Sequence, residues 1–410
     1  MNVPGAAPAD AFDDVPRAPF TVVGIGADGW PGLTGAAQEA LESARVVLGA
    51  PRQLELVRDH VEAELRAWPS PLLPALPGIL NACDPAETVV LASGDPMFHG
   101  IGTTLSRLLG TDRVRVLPAP SSASLACARL GWALDRTEVV SLVTGQAGAV
   151  AAAADRGRPF LVLARSAASA TEVAAILADR PDTTITALTD LGAATEAIRR
   201  GTAADPPEPA GDLTVLAVEP TGPRRPWLAD GDFETDGQLT KSPIRELTVA
   251  ALGPAPGAVL WDVGGGTGSI AIEWSRHGGR AACIERDAER AGRIRRNAAR
   301  LGPVSVVEGT APRDLDLLRE AAGSPDAVFV GGGLTADGMV DACLDALAPG
   351  GRLVANAVTV ESEEVLWRAF RAHGGDIRRI GVGRAGTVGS FTTLRPALPV
   401  TQWIVVTHGG

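Results

Sequence analysis

The segment Leu260-Trp-Asp-Val-Gly-Gly-Gly-Thr-Gly-Ser269 constrains this chain more than any other. A short apolar run reads as a buried strand, glycines force a tight turn, and a helix follows. Glycines carry no Cβ, so a ligand can come close to the backbone there. The helix N-terminus beyond the turn favours polar or anionic groups. Such strand–turn–helix units belong to sheets whose strands are joined by helical crossovers.

The same rhythm runs along the whole chain. Phe20 to Gly26, Arg45 to Gly49, Thr88 to Ala92, Arg113 to Leu117 and Val139 to Val143 read as strands, with helices from Thr34 to Ala44 and from Ser121 to Leu130. A second block holds strands at Phe160 to Ala164, Thr184 to Leu188 and Leu213 to Val218, with a helix around Ala170 to Ala178. Glu219-Pro-Thr-Gly-Pro-Arg-Arg-Pro226 is a proline-stiffened linker. The pattern then restarts. Ser242-Pro243 with Glu246 opens a helix with proline at its first position, and Asp287 to Leu301 is a basic helix. Strands are expected at Ala258 to Asp262, Arg280 to Ile284, Val304 to Val307, Ala327 to Val330, Gly351 to Ala357, Asp376 to Val382 and Gln402 to Thr407. The fold class is α/β: a mobile tail over 1–19, one domain over 20–220, a linker over 221–235, and a doubly wound domain over 236–410 with antiparallel strands near its end.

Composition narrows the function. The 410 residues are 45% hydrophobic and 21% charged, which suits two globular cores. The longest charge-free run, Ala67 to Cys83, is broken by Pro69, Pro71, Pro74 and Pro77, whereas a spanning helix needs about 20 unbroken apolar residues. No membrane span is expected. The net charge of −11 argues against a nucleic-acid binder. Cys83, Cys127, Cys283 and Cys343 stand far apart and the five histidines are scattered. They read as reduced, buried thiols with no metal site. The acidic, proline-bearing start fits neither a signal nor a transit peptide, so a cytoplasmic location is expected.

Glu285 ends the strand that follows the glycine turn, where a carboxylate can accept hydrogen bonds from both ribose hydroxyls. Turn and acid together point to a nucleoside ligand. A dinucleotide fingerprint wants a third glycine for helix packing. Here Gly264, Gly265, Gly266, Thr267 and Gly268 follow Asp262, a form that resembles the first motif of class I S-adenosylmethionine-dependent methyltransferases. Lys241, the single lysine of the chain, lies upstream in Thr240-Lys-Ser-Pro-Ile-Arg245. Lys241 and Arg245 stand one helical turn apart and are suited to substrate carboxylates.

Thr240 to Arg245, the Asp262 turn, Glu285, Glu308-Gly-Thr-Ala-Pro312 and Phe329-Val-Gly-Gly-Gly333 together resemble the decarboxylating precorrin C15-methyltransferases over nearly all of 236–410. The resemblance implies S-adenosylmethionine bound at Thr240, Gly264 to Gly268, Glu285 and Ala311. Thr310 departs from it, since that family often has Asp there. Val22-Val-Gly-Ile-Gly26 with its loop, Ser93-Gly-Asp-Pro-Met-Phe-His-Gly100 and Pro118-Ala-Pro-Ser-Ser-Ala123 are three loops at strand ends. They resemble the class III tetrapyrrole methylases, nearest to the precorrin C5-methyltransferases, over 20–220. That likeness implies two α/β subdomains and S-adenosylmethionine held near Gly26, Asp95 and Ser122. Joined, the halves resemble the fused precorrin-6Y C5,15-methyltransferase (decarboxylating) family of cobalamin biosynthesis. Its members imply S-adenosyl-L-methionine as cofactor, a small tetrapyrrole as substrate and a homo-oligomer as assembly.

Methyl transfer to an electron-rich carbon needs orientation more than a strong base, so no evident catalytic acid or base is expected. The tetrapyrrole itself can act as electron sink for the decarboxylation. The helix bearing Arg286, Arg290, Arg293, Arg295, Arg296 and Arg300 reads either as an anion-binding face or as a solvated face paired within itself to Asp287 and Glu289. Arg224-Arg225 reads as linker solubility, and His99 as a structural histidine or a ligand contact. An RNA methyltransferase, a dinucleotide oxidoreductase and a non-catalytic S-adenosylmethionine-binding regulator are the alternatives. Salt-sensitive RNA binding, preference for NADH, or binding without turnover would point to each in turn.

Overall fold

The buried strands form where the β-branched runs lie. The structure, a computed structural model, describes Val15 and residues 18–407, so most of the tail expected over 1–19 falls outside the described residues. Val15 itself is buried, and Arg113 Nη2 donates to its carbonyl at 2.6 Å. The described chain forms two compact units. One holds Val15, 18–145 and 157–222, and the other holds 146–156 and 223–407.

The first unit contains two sheets. β1 (Phe20–Ile25), β2 (Val46–Gly49), β3 (Glu64–Ala67), β4 (Thr88–Ser93) and β5 (Val114–Leu117) pair in the order β3-β2-β4-β1-β5, all in parallel. The helices α1 (Gly35–Glu42), α2 (Pro51–Glu55), α3 (Leu72–Asn81) and α4 (Ile101–Leu109) connect them. Side chains alternate between two buried faces: Val22, Leu48 and Val90 enter one core, Val23, Val47 and Leu91 the other. Burial on both faces is why these strands read as continuous apolar runs. α5 (Ser122–Leu130) leads to the second sheet. Its strands are β6 (Glu138–Ser141), β7 (Phe160–Leu163), β8 (Thr184–Thr189), β9 (Ala197–Thr202) and β10 (Thr214–Glu219), in the order β6-β7-β10-β8-β9. β6 and β7 run parallel, but β10 runs antiparallel to both neighbours and β9 antiparallel to β8. α6 (Gly148–Asp155) and α7 (Ser169–Ile176) lie among these strands in sequence.

The second unit is a doubly wound sheet. It runs α8 (Ile244–Leu252), β11 (Val259–Val263), α9 (Ser269–Arg276), β12 (Arg280–Glu285), α10 (Ala288–Leu301), β13 (Ser305–Glu308), α11 (Asp316–Ala322), β14 (Ala327–Val330), α12 (Met339–Ala346), β15 (Arg352–Ala357) and α13 (Val360–His373). β16 (Asp376–Ile380), a separate hairpin of β17 (Gly383–Val388) and β18 (Phe391–Pro396), and β19 (Val400–Val406) complete it. The order is β13-β12-β11-β14-β15-β19-β16, with β19 antiparallel to both neighbours. The late antiparallel strands match the sequence expectation. Pro243 is the N-cap of α8, one place earlier than expected.

α6 belongs to this second unit although it lies within 20–220 in sequence. Gly148 lets it cross α10 closely, since a Cβ there would sit 2.0 Å from the Ala298 carbonyl oxygen. The Gln146 amide clasps both backbone groups of Val304, at 3.0 and 3.1 Å.

Candidate active sites

In the second unit the carboxyl ends of β11, β12 and β13 meet. Gly264, Gly266 and Gly268 all have positive φ, so the turn takes a shape that residues with a Cβ rarely adopt. Most of it is pressed against its own scaffold. A Cβ on Gly264 would lie 2.8 Å from the Gly332 oxygen, on Gly265 1.9 Å from Cys283 Sγ, and on Gly268 2.6 Å from Ile294 Cγ2. Gly266 is the open one, its nearest neighbour being the Gln238 oxygen at 3.5 Å. Thr267 is buried, and its carbonyl accepts from Asn297 Nδ2 at 3.1 Å.

Glu285 ends β12 beside the glycine turn. Its Oε2 accepts from the Gly266 N–H and its Oε1 from the Asp287 N–H, each at 3.1 Å. A carboxylate has further lone pairs, so it can still accept from a ligand. Ala311 is half-buried, three residues past Glu308, which pairs with Glu285 across the sheet. Asp262 lies beneath the turn. Its Oδ2 accepts from the Ala271 N–H at 3.2 Å, at the first turn of α9, while Oδ1 is buried without a partner. Burial pushes this carboxyl up to about 7, and the charge of Glu285 adds to the effect.

Thr240 and Lys241 sit on the segment that lies against Gly266. The arginines of α10 hold this segment in place. Asp236 takes Arg290 at 2.9 Å and Arg293 at 3.0 Å, Glu234 takes Arg296 at 2.5 Å, and Asn297 bonds both backbone groups of Glu234 at 2.9 Å. Arg293 also pairs within the helix to Glu289 at 3.2 Å, as one reading of that helix expects, but the hold on 234–236 belongs to neither reading, because those acidic partners come from far along the chain. Asn297, a buried amide on α10, joins the arginines in this hold.

Lys241 is exposed, and its ammonium makes no hydrogen bond or ion pair among the described residues. Arg245 differs from the expectation. It is fully buried, pairs with Asp230 at 3.0 Å and Glu273 at 3.5 Å, and donates to the carbonyls of Thr240 and Leu228. Its guanidinium also stacks 4.9 Å from the Phe233 ring centre. No face is left for a substrate carboxylate, so its part is structural. Arg225 is likewise not free linker charge, for it pairs with Asp232 at 2.7 Å.

The first unit gathers the other three expected residues in one cleft. Gly26 follows β1, Asp95 follows β4, and Ser122 opens α5. Asp95 Oδ1 accepts from the Met97 N–H at 2.8 Å, which shapes its own loop. Ser121 caps α5 by accepting from the Ser124 N–H at 3.0 Å. Ile25, Phe98, Leu125 and Leu188 give the cleft apolar walls. His99 lines it with φ 55°, edge-on to Phe98, and desolvation lowers its pKa. Arg52 and Asp212 also line it. Nothing in their local sequence marks them, since the cleft arises only when both sheets are folded.

Two α/β units, each with glycine turns and a carboxylate at its strand ends, define a two-part methyltransferase. The family of tetrapyrrole (corrin/porphyrin) methylases matches residues 19–207, and the precorrin methyltransferase domain matches residues 231–407. The chain belongs to the precorrin-6Y C(5,15)-methyltransferase (decarboxylating) family. It is 46% identical over 393 residues to the family's protein from Mycobacterium tuberculosis, covering 94% of this chain and 98% of that one. Identity to the Sinorhizobium protein of the same name is 42% over 398 residues, covering 94% and 95%. The crystal structure of the C-terminal domain of precorrin-6Y C5,15-methyltransferase from Rhodobacter capsulatus is 42% identical, covers 44% of this chain and 96% of that one, and has a TM-score of 0.40. Among the described residues no helix is long and apolar enough to cross a membrane.

Proposed function

We propose that this chain methylates precorrin-6Y at C5 and C15 and decarboxylates one acetate side chain, in cobalamin biosynthesis. The C5 step belongs to residues 20–220, and the C15 step with decarboxylation to 236–410. The observation that carries the reading is kinship along nearly the whole chain, matched at both ends by families of precorrin or tetrapyrrole methyltransferases.

S-adenosylmethionine is the methyl donor in this proposal, and the residues present fit it. Gly266 leaves backbone open beside the Glu285 carboxylate, and the first-unit cleft sets Asp95 and Ser122 among apolar walls. Thr240, Gly264 to Gly268, Glu285 and Ala311 would hold it in one unit, and Gly26, Asp95 and Ser122 in the other. When bound it supplies an electrophilic methyl group. The chain's own part is to bind and orient the two reactants and keep water away. Lys241, with its free ammonium, is the group proposed to meet a tetrapyrrole carboxylate in the second unit.

The pairing of Arg290, Arg293, Arg295 and Arg296 with Glu234, Asp236 and Glu308 supports a small-molecule substrate over RNA, because four of the six arginines of this basic run already meet carboxylates. A cytoplasmic homo-oligomer is the proposed working form. The test is mass spectrometry after incubation with S-adenosylmethionine and precorrin-6Y. Two methyl groups gained and one carbon dioxide lost is the expected product. One methyl gained with decarboxylation overturns the assignment of 20–220. Unchanged substrate with bound S-adenosylmethionine turns the reading to a regulator.

A further inference from the structure

The cleft of the first unit holds a cation that no carboxylate neutralises directly. Arg52, on α2, lines this cleft together with Gly26, Asp95 and Ser122. Among the described residues its one side-chain hydrogen bond runs from Nη2 to Ser93 Oγ at 3.3 Å, a long bond to a neutral group. No carboxylate lies within 4.0 Å of it among the described residues. Its neighbour Arg58, by contrast, reaches Glu55 at 2.8 Å. Asp190 acts on Arg52 only from farther off, and desolvation in the cleft lowers its pKa.

The arginine is also aimed. Gln53 Nε2 donates to the same Ser93 Oγ at 2.9 Å, and Gln53 Oε1 accepts from the Ala50 N–H at 2.8 Å. Gln53 therefore fixes the hydroxyl on which Arg52 rests, at the end of β4 and two residues before Asp95. Arg52 stays exposed on the cleft wall, and a guanidinium there with most of its donors unused suits a planar, bidentate anion such as a carboxylate. The protein as a whole carries −11, so a polycarboxylate ligand must be drawn by local cations of this kind.

We propose that Arg52 anchors a carboxylate side chain of the tetrapyrrole in the first-unit cleft and so positions it for methylation. This rests on the assignment of that cleft to the C5 step. The experiment uses the full chain with Arg52→Ala and Arg52→Lys. It follows the C5 product, the C15 decarboxylated product and S-adenosylmethionine affinity by calorimetry. Arg52→Ala should raise KM for the tetrapyrrole in the C5 step about ten- to a hundred-fold, the usual weight of a charge-assisted bond. It should leave S-adenosylmethionine affinity and the C15 product unchanged. Arg52→Lys should recover part of the loss, because the charge remains but the fork is gone. An unchanged KM overturns the proposal. So does lost S-adenosylmethionine affinity, which would place Arg52 on the donor's own carboxylate. A parallel Asp95→Ala variant separates the two levels. If C5 methylation survives it, the cleft assignment fails, whatever Arg52 does.

Discussion

Asp262 shows how a single buried residue makes stability depend on pH. Folding raises its carboxyl from 3.8 to about 7, mainly by removing it from water. Between those values the folded chain holds a proton that the unfolded chain has released. Stability therefore falls as pH rises from about 4 to about 7 and levels off above, by no more than about 4 kcal/mol. Asp262→Asn should flatten that part of the pH profile, as read by thermal unfolding from pH 5 to 8. An Asn variant as steep as the wild type would show that another group is responsible. Arg245 makes a different case, a buried charge whose loss strands its partners. It lies against Glu273, whose own carboxyl is raised by burial. Arg245→Ala should cost about 3–5 kcal/mol in unfolding, the usual effect of stranding a buried partner. It should leave KM for the tetrapyrrole unchanged. A raised KM with intact stability would return Arg245 to the substrate.

At the scale of elements, the glycine turn is held by the strand beside it. Gly265 leaves no room for a methyl group because Cys283 Sγ on β12 fills the space. Gly265→Ala should cost about 1–3 kcal/mol by overpacking. Adding Cys283→Ala removes the sulfur and leaves Cys283 Cβ 3.6 Å from the new methyl, so the double variant should regain much of the loss. Independent, additive losses in denaturant unfolding would sink this account. Such packing reasons could not be read from the sequence, although the turn itself could. Asp262, the glycines and Glu285 were legible because apolar run, turn and acid are adjacent or one strand apart. Arg245 was not, since Asp230, Leu228 and Glu273 reach it from separate segments. Polar strands also escaped notice: β9 reads Ala-Ile-Arg-Arg-Gly-Thr, and the β17–β18 hairpin has little alternation. That hairpin exposes Phe391 at 77% and Leu394 at 70%. Exposed apolar side chains grouped this way suit contact with another chain. If the proposed homo-oligomer uses this face, Phe391→Ser with Leu394→Ser should lower the mass seen by light scattering and leave thermal stability near that of wild type.

The whole molecule is cut differently from its sequence. The chain leaves the second unit after α6, builds β7 to β10 in the first, and returns near 223. Within the second unit, α6 does more than cover surface. Asp155 meets Arg276 at 2.8 Å, and both are nearly buried. Arg276 also reaches Glu273 at 3.4 Å and donates to the carbonyls of Leu301 and Arg225. Glu273 in turn accepts from the Leu228 N–H at 2.8 Å. Helix, linker and α9 thus share one buried charge cluster, in which each ion depends on the others for compensation. A fragment that begins at 223 would keep Glu273, Arg245 and Arg276 but lose Asp155. It should unfold at lower denaturant than the same unit inside the full chain. Asp155→Ala in the full chain should reproduce most of that loss, about 3–5 kcal/mol. Gly148→Leu should do so by another route, by forcing α6 away from Ala298 while leaving the charges in place. If the fragment matches the full chain and both variants are neutral, α6 is dispensable to the second unit. If all three weaken it alike, residues 146–156 are a working part of the methyltransferase unit that follows them in the chain.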